Sequence, residues 1–447
     1  MREGSLDAPV RHALDWESPD FFDVEKIDAE MRRVFEICHG CRRCFNLCDS
    51  FPRLFDLIDN SPREELGDVP SADLKAVVDA CTLCDMCFMT KCPYVPPHAF
   101  NLDFPHLMLR YRAAELKAGK VGFAERELTR TDRNGKLAGL VAPLANWATA
   151  TSNAVTRPIL EAVAGIDRRA ALPKYHGKTF VARARGNPAE PNGKAPAYGR
   201  KAALYATCFV NYNNPEIGEA TRRVLAENGV ATKVVYPTCC GMPQLEHGNM
   251  ADVAARARKV AGELVPLIDQ GYDIVALVPS CALMLKFEWP LIVPGDAAVK
   301  RLADATYDVS EYVVDIAKKE GLAPGLNALD GGVSVHLACH ARAQNMGPKA
   351  AEMLRLIPGS DVAVIERCSG HGGSWGVLKR NFDVALKVGK PVARQASKNA
   401  KTYLASECPL AGEHIIQGMQ RLDAEGPRPP EHAWHPIQLF AKAYGLV

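Results

Sequence analysis

Eight of the fifteen cysteines stand in two short runs. Cys38, Cys41, Cys44 and Cys48 follow a C-x2-C-x2-C-x3-C spacing, and Cys81, Cys84, Cys87 and Cys92 a C-x2-C-x2-C-x4-C spacing closed by Pro93. Three thiolates at three-residue steps on a looping backbone grip three corners of one cubane, and the fourth cysteine of a run points to the neighbouring cluster. This spacing assigns Cys38, Cys41, Cys44 and Cys92 to one [4Fe-4S] cluster, and Cys81, Cys84, Cys87 and Cys48 to a second. The chemistry implied is one-electron transfer. Two departures stand out: Asp49 follows Cys48 where proline is usual, and the second run has one extra residue before Cys92. Pro93 and the Pro96-Pro97 pair still impose an extended exit there.

Two other uses of cysteine compete with this one. Disulfides fit poorly, because the count is odd, Met1-Arg2-Glu3-Gly4-Ser5 starts no signal peptide, and neighbours three apart give strained bridges. Zinc ribbons are built from CxxC pairs, two pairs to a tetrahedral site, whereas these are triplets with a remote fourth. Cysteine-rich, leaderless and metal-patterned together imply a reducing cytoplasm. The net charge is only +2, with no polybasic tail, which removes the electrostatic case for nucleic acid.

The positioning elements follow from periodicity. Ile27, Met31, Val34 and Phe35 form a helical seam leading into the first run, and Leu74, Val77 and Val78 a second one between the runs. Residues 111–165 read as mostly helical. Within them Leu137–Thr156 lacks charge over about a membrane-spanning length, but its Asn, Ser, Thr and Pro content makes it too polar to span. A partly buried helix is the simpler reading, and an interfacial helix on a membrane or an apolar partner the other. A Pro/Gly/Asn-rich stretch from Arg185 to Pro196 then reads as a linker or surface loop.

Beyond it the chain repeats itself. Apolar runs at 202–206, 234–236 and 274–278 end at Cys208, at Cys239-Cys240-Gly241 and at Cys281; runs at 333–337, 362–365 and 403–405 end at Cys339, at Cys368-Ser369-Gly370 and at Cys408. Helical stretches separate them, one of them opened by Asn214-Pro215 and closed by Gly229, another covering Met250–Asp269. Alternation of this kind builds parallel strands with right-handed crossovers, whose ligands sit outside the carboxyl ends of the strands. The thiols should therefore converge, on one site per copy or on one between copies. The fold class is α+β and α/β: a helical two-cluster ferredoxin-type domain (1–110), a helical segment and linker (111–198), and two repeated α/β domains with parallel strands (199–325 and 326–447).

At these residues the chain resembles the CCG-domain (cysteine-rich domain) iron–sulfur proteins, a family with the anaerobic glycerol-3-phosphate dehydrogenase C subunit, the glycolate oxidase iron–sulfur subunit and the heterodisulfide reductase D subunit. The resemblance runs from about residue 30 to the end. The stretches Cys339–Gln344 and Ser280-Cys281-Ala282-Leu283-Met284-Leu285 are typical of the glycerol-3-phosphate dehydrogenase branch. Carried over, the family pattern makes Cys208, Cys239, Cys240 and Cys281 ligands in the first copy, and Cys339, Cys368 and Cys408 in the second. Val278, Ser369 and Ala411 stand where the full pattern has cysteine. Four thiolates suffice for a conventional cluster; three leave one iron open to His371, water or substrate. One or two clusters beyond the two cubanes follow from this. Gly241, Gly370, Gly372 and Gly373 would let the backbone turn beside a cluster and aim N–H groups at sulfur. Arg342, Lys286, Lys379 and Arg380 either offset cluster charge or form a solvated basic face.

The resemblance implies an oxidoreductase subunit that relays electrons between a flavoprotein dehydrogenase and an acceptor such as quinone, cytoplasmic and peripheral on the inner face of the cell membrane. Two alternatives are a stand-alone disulfide- or peroxide-linked reductase, akin to heterodisulfide reductase or serving a rubrerythrin-type protein, and an iron–sulfur redox sensor.

Overall fold

The computed structural model describes residues 9–422 and 429–447; the expectation of a leaderless start, read from Met1–Ser5, lies outside them. Among the described residues seven short strands form two parallel sheets. The first has the order β2-β1-β3-β4 and comprises β1 (Lys201–Tyr205), β2 (Ala231–Val235), β3 (Asp273–Ala276) and β4 (Thr306–Asp308). The second has the order β6-β5-β7, from β5 (Val333–His336), β6 (Val362–Ile365) and β7 (Tyr403–Ser406). The first-born strand lies in the middle of each sheet, so the two copies share one winding. In register, Tyr205 stands between Val235 and Ala276, and His336 between Ile365 and Ser406. All six cysteine-bearing turns therefore leave the same edge of their sheet. In the second copy β4 is matched only by a single parallel bridge, Trp434 beside Ala405 of β7, and a helix with a capping box follows in both copies.

Alternation along the first sheet explains how it joins its neighbours. Ala203, Tyr205, Ile274 and Ala276 face one way and share a continuous apolar core with Phe35, Phe51 and Phe104 of the N-terminal helices. Leu204, Val275 and Leu277 face the other way, into a core that also holds Val333, Val335 and Ala405 of the second sheet. Side chains of period two thus wedge the first sheet between the N-terminal cysteine module and the second repeat. Each buried Phe or Leu contributes about 1.5–3 kcal/mol to that arrangement.

The helical expectations before residue 111 are met by Val24–Cys41, which buries Ile27, Met31, Val34 and Phe35, and by Lys75–Ala80, which buries Val77 and Val78. Leu137–Thr156 differs from the partly buried helix expected. The backbone breaks at Val141 and again at Ala150, giving helices Thr131–Leu140, Ala142–Thr149 and Thr156–Ala164. Its apolar face is turned outward. No helix among the described residues is long and apolar enough to cross a membrane.

Candidate metal centres

The first run is set by a helix end. Asp23 caps helix Val24–Cys41 by accepting from the Glu25 and Lys26 N–H groups, and Arg42 stops it in the left-handed region, at φ +51. Cys38 and Cys41 thus ride the last turn and Cys44 the loop beyond. Cys92 arrives at the end of a π-helical turn, Cys87–Lys91. These four cysteines line one cavity, together with Arg43 and Lys91. Burial, and then the neighbouring Cys92, Cys44 and Cys41, push the Cys38 thiol well up. Burial pushes Cys44 up to about 12, reinforced by Cys92 and Cys41 and opposed by Lys91 and Arg43.

The second run folds into a tight loop, with Leu83 and Asp85 at φ +48 and +62. Burial pushes the Cys87 thiol well up, and Cys84, Cys81 and Cys48 add to it. Cys48 is pushed up to about 12, by burial and then by Cys81. Cys84 is raised by burial and then by Cys339 and Cys368 of the second repeat. The second run therefore borders the second repeat directly.

In the first repeat the Cys208 and Cys239 sulfurs lie 3.6 Å apart, and those of Cys240 and Cys281 3.2 Å apart. Tyr205 O–H donates to the Thr238 carbonyl at 2.6 Å, and Trp289 Nε1–H to that of Cys240 at 3.1 Å. The Asp132 carboxylate accepts from the Cys239 N–H (3.0 Å), from Thr238 Oγ1 (2.9 Å) and from the Tyr236 hydroxyl, while Arg256 donates to Thr238 Oγ1 at 3.0 Å. Tyr205, Trp289, Asp132 and Arg256 belong to no motif; Asp132 reaches its partner across 107 positions.

In the second repeat, burial and then Cys368 and Cys408 push the Cys339 thiol up. Gly370 adopts φ +80 and its N–H donates to Cys368 Sγ at 3.3 Å. Ser369 and Ala411 are buried beside these turns. The structure brings three thiols together here, four in the first repeat, and one group in each copy rather than a shared one. His371 packs its ring edge-on against that of His414, with centroids 5.7 Å apart, and burial pulls it down to about 3. Of the four basic residues, Arg342 is near enough to stabilise the Cys368 thiolate. Lys286 is bound to Glu311 at 2.8 Å and Gln344 at 3.2 Å. Lys379 and Arg380 are exposed and pair with Glu161 and Glu125, on the helices of residues 123–164.

The donor set is uniform. Each group consists of thiols in dry surroundings, where deprotonation is costly unless a cation offsets the charge. Thiols with N–H and cationic neighbours suit the sulfide-bridged iron of a cluster.

Residues 202–286 match the cysteine-rich (CCG) domain family. The chain is 30% identical to the C subunit of anaerobic glycerol-3-phosphate dehydrogenase from Escherichia coli (strain K12) over 323 residues, covering 71% of this chain and 76% of the relative. It is 31% identical to lactate utilization protein A of Geobacillus kaustophilus over 189 residues (40% and 74%). It is 26% identical to the B subunit of fumarate reductase (CoM/CoB) from Methanothermobacter marburgensis over 254 residues (55% and 45%). The chain belongs to the family of cysteine-rich iron–sulfur oxidoreductase proteins that includes the C subunit of anaerobic glycerol-3-phosphate dehydrogenase.

Proposed function

We propose that this chain is the iron–sulfur subunit of an oxidoreductase, relaying electrons from a flavoprotein dehydrogenase to a quinone. The observation that carries the reading is the adjacency of Cys84 to Cys339 and Cys368, which with that of Cys87 to Cys44 links both N-terminal runs to the second repeat. Cys38, Cys41, Cys44 and Cys92 would hold one [4Fe-4S] cluster, and Cys81, Cys84, Cys87 and Cys48 a second. Cys208, Cys239, Cys240 and Cys281 would hold a third cluster, and Cys339, Cys368 and Cys408 an open fourth site. Clusters bound there supply one-electron transfer.

The chain's own contributions are physical. Tyr205, Trp289 and Phe51 exclude water from the cysteine groups. Lys91, Arg43 and Arg342 bring positive charge toward thiolates, and the Gly370 N–H bonds to one of them. The positive charge and the N–H bond raise a reduction potential, and the exclusion of water lowers it. The dehydrogenase partner is drawn from the relatives, two of which are named as subunits of a dehydrogenase and a reductase.

A second reading rests on the missing fourth thiol. Ser369 and Ala411 leave the second repeat three cysteines, and an open metal position is where substrate chemistry occurs. A stand-alone disulfide or peroxide reductase would use it. Anaerobic purification, iron and sulfide counting and an EPR titration decide. The relay gives at least about eight irons with two cubane signals and reduction of quinone only with the dehydrogenase present. Oxidation of the reduced protein by a disulfide or peroxide alone would instead establish the second reading, and a metal-poor or zinc-only protein would overturn both.

A further inference from the structure

Glu246 lies shortly after the Cys239-Cys240-Gly241 turn of the first repeat. Gly241, at φ +89, and Pro243 open the short helix Met242–Glu246, and Gln244 pins it by donating to the Thr129 carbonyl at 2.6 Å. From the end of this helix the carboxylate reaches the second repeat. A methyl group on Gly373 would lie 2.7 and 3.0 Å from its two oxygens, so it rests on the bare backbone of the turn that follows Cys368. It is near enough to Cys408 to disfavour that thiolate. Gly372 of the same turn presses onto Thr82 of the second run, and Trp375 Nε1–H donates to the Asp79 carbonyl at 2.8 Å. Glu246 therefore stands where the second run and both repeats meet.

This carboxylate has no partner. Among the described residues nothing donates a hydrogen bond to it and no cation pairs with it. Arg112 faces it, but that guanidinium is committed to the backbone carbonyls of Val78, Cys81 and Glu246 itself. Burial pushes Glu246 up to about 7, with Arg112 opposing. The other carboxyls that burial raises among the described residues each accept a hydrogen bond: Asp273 from Tyr312, Asp308 from the Ser310 N–H, Glu407 from the Ala338 N–H and Glu413 from the Ala433 N–H. The titratable and charged groups around Glu246 are Arg112 from helix Phe104–Lys117, Cys408 from the second repeat, and His247 beside it in the chain, which burial pulls down and which faces Arg112, Glu125 and Arg380. Unpaired acids with a perturbed proton affinity mark functional positions.

We propose that Glu246 is the proton acceptor coupled to reduction of the second repeat's cysteine group. The proposal rests on the relay reading, which puts redox-active iron on Cys339, Cys368 and Cys408. An electron arriving from the neighbouring group adds one negative charge beside Glu246, and in surroundings that exclude most water this charge disfavours the carboxylate. The carboxylate then takes one proton from solvent, which its half-burial leaves within reach, and becomes a neutral acid. It releases the proton when the electron leaves. One electron and one proton enter together, the charge of the site is unchanged, and no bond to iron or sulfur breaks. Quinone and disulfide acceptors both take up protons with their electrons, so a proton kept beside the electron serves either.

Anaerobic EPR redox titration of the full-length protein from about pH 6 to about pH 9 tests it. The second repeat's group is the signal that Cys408→Ala abolishes. Its potential should be level below about pH 7 and fall above it by one tenfold change in the equilibrium constant per pH unit, about 59 mV for one electron. Glu246→Gln should remove the slope, and Glu246→Asp should keep it. Infrared difference spectra of the unaltered protein above neutral pH should show a carboxylic-acid C=O band appearing with the electron, a reading independent of folding in the variants. A level potential in the unaltered protein with iron present in the second repeat overturns this proposal alone. So does a slope or a band that Glu246→Gln leaves in place, which would assign the proton to another acid. A second repeat without iron overturns the relay reading and this proposal with it.

Discussion

His340 Nδ1 lies 3.0 Å from the hydroxyl of Ser280, and the same ring's Nε2 lies 3.3 Å from the carbonyl oxygen of Leu83. A carbonyl only accepts, so Nε2 carries the proton and Nδ1 accepts from Ser280. His340 follows Cys339, Ser280 precedes Cys281 and Leu83 precedes Cys84. One neutral, half-buried imidazole therefore ties together the second run and both repeats. His340→Leu leaves the Ser280 hydroxyl and the Leu83 carbonyl unpaired at a cost of about 1–3 kcal/mol each. It should also slow electron equilibration between the cysteine groups, while His340→Gln restores part of it. Rapid-freeze EPR after partial reduction checks the rate; equal kinetics in all three proteins would reduce His340 to a packing residue.

Arg11 joins the N-terminal segment to the same region. Its guanidinium contacts Asp85 at 2.8 Å, Asp103 at 2.8 Å and Glu288 at 3.0 Å, and stacks over Phe88. Asp85 and Glu288 are almost fully buried, so removing the cation leaves carboxylates without compensation. Arg11→Met should cost about 3–5 kcal/mol, read as a lower denaturation midpoint. Asp85 belongs to the second cysteine run and Glu288 to the turn after Cys281, so bleaching of the visible spectrum should accompany the loss.

Six of the seven strands were legible because each is an apolar run stopped by cysteine, and the helix Met250–Asp269 falls on the stretch read for it. β4 was not, since Thr306-Tyr307-Asp308 is short and polar and is a strand only through its pairing with Ile274–Ala276. Leu137–Thr156 was misread for a general reason: periodicity tells which side chains share a face, not which way that face points. Here the inward pull on Arg157 comes from carbonyls of residues 167–170, which no local pattern encodes. The roles of His340 and Asp132 are not legible in the sequence because their partners lie from 60 to 257 positions away. The cysteine groups were legible in the runs and at the strand ends alike, because chain topology alone brings strand ends together.

His336 predicts a pH dependence. Its Nε2–H donates to the Arg367 carbonyl at 3.0 Å and its Nδ1 accepts from Ser406 at 2.9 Å, with burial pulling its pKa down to about 4. An unfolded chain titrates near the ordinary value of about 6.5. Between these pH values the unfolded chain binds a proton that the folded one refuses, so stability falls as pH drops below about 6.5 and the loss levels off near 4. The full effect is about 3 kcal/mol. His435, pulled by burial to about 3, acts in the same direction. Melting temperatures of the wild type should drop steeply from about pH 7 to about pH 5, and His336→Gln should flatten part of that slope. Parallel curves would show that His336 is not the group responsible.

Two glycines with opposite surroundings test how far backbone geometry builds the second repeat's cysteine group. At Gly370 a Cβ would lie 2.0 Å from the Ala385 carbonyl oxygen and 2.9 Å from the Gly389 nitrogen, on a backbone with φ +80. The turn carrying Cys368 presses directly onto helix Phe382–Asn399, and backbone cannot yield as a side-chain tip would. Gly370→Ala should therefore cost about 2–4 kcal/mol and shift Cys368 away from Cys339. Gly262, inside helix Met250–Asp269, has nothing within 4 Å of the position a methyl group would take. Gly262→Ala should stabilise by about 0.5–1 kcal/mol, through helix propensity alone. Denaturation midpoints with iron content measured alongside check both: the first variant should lose stability and part of its iron, and the second should gain stability with iron unchanged. A Gly370→Ala protein of full stability and full iron would show that the turn at Cys368 is free to move.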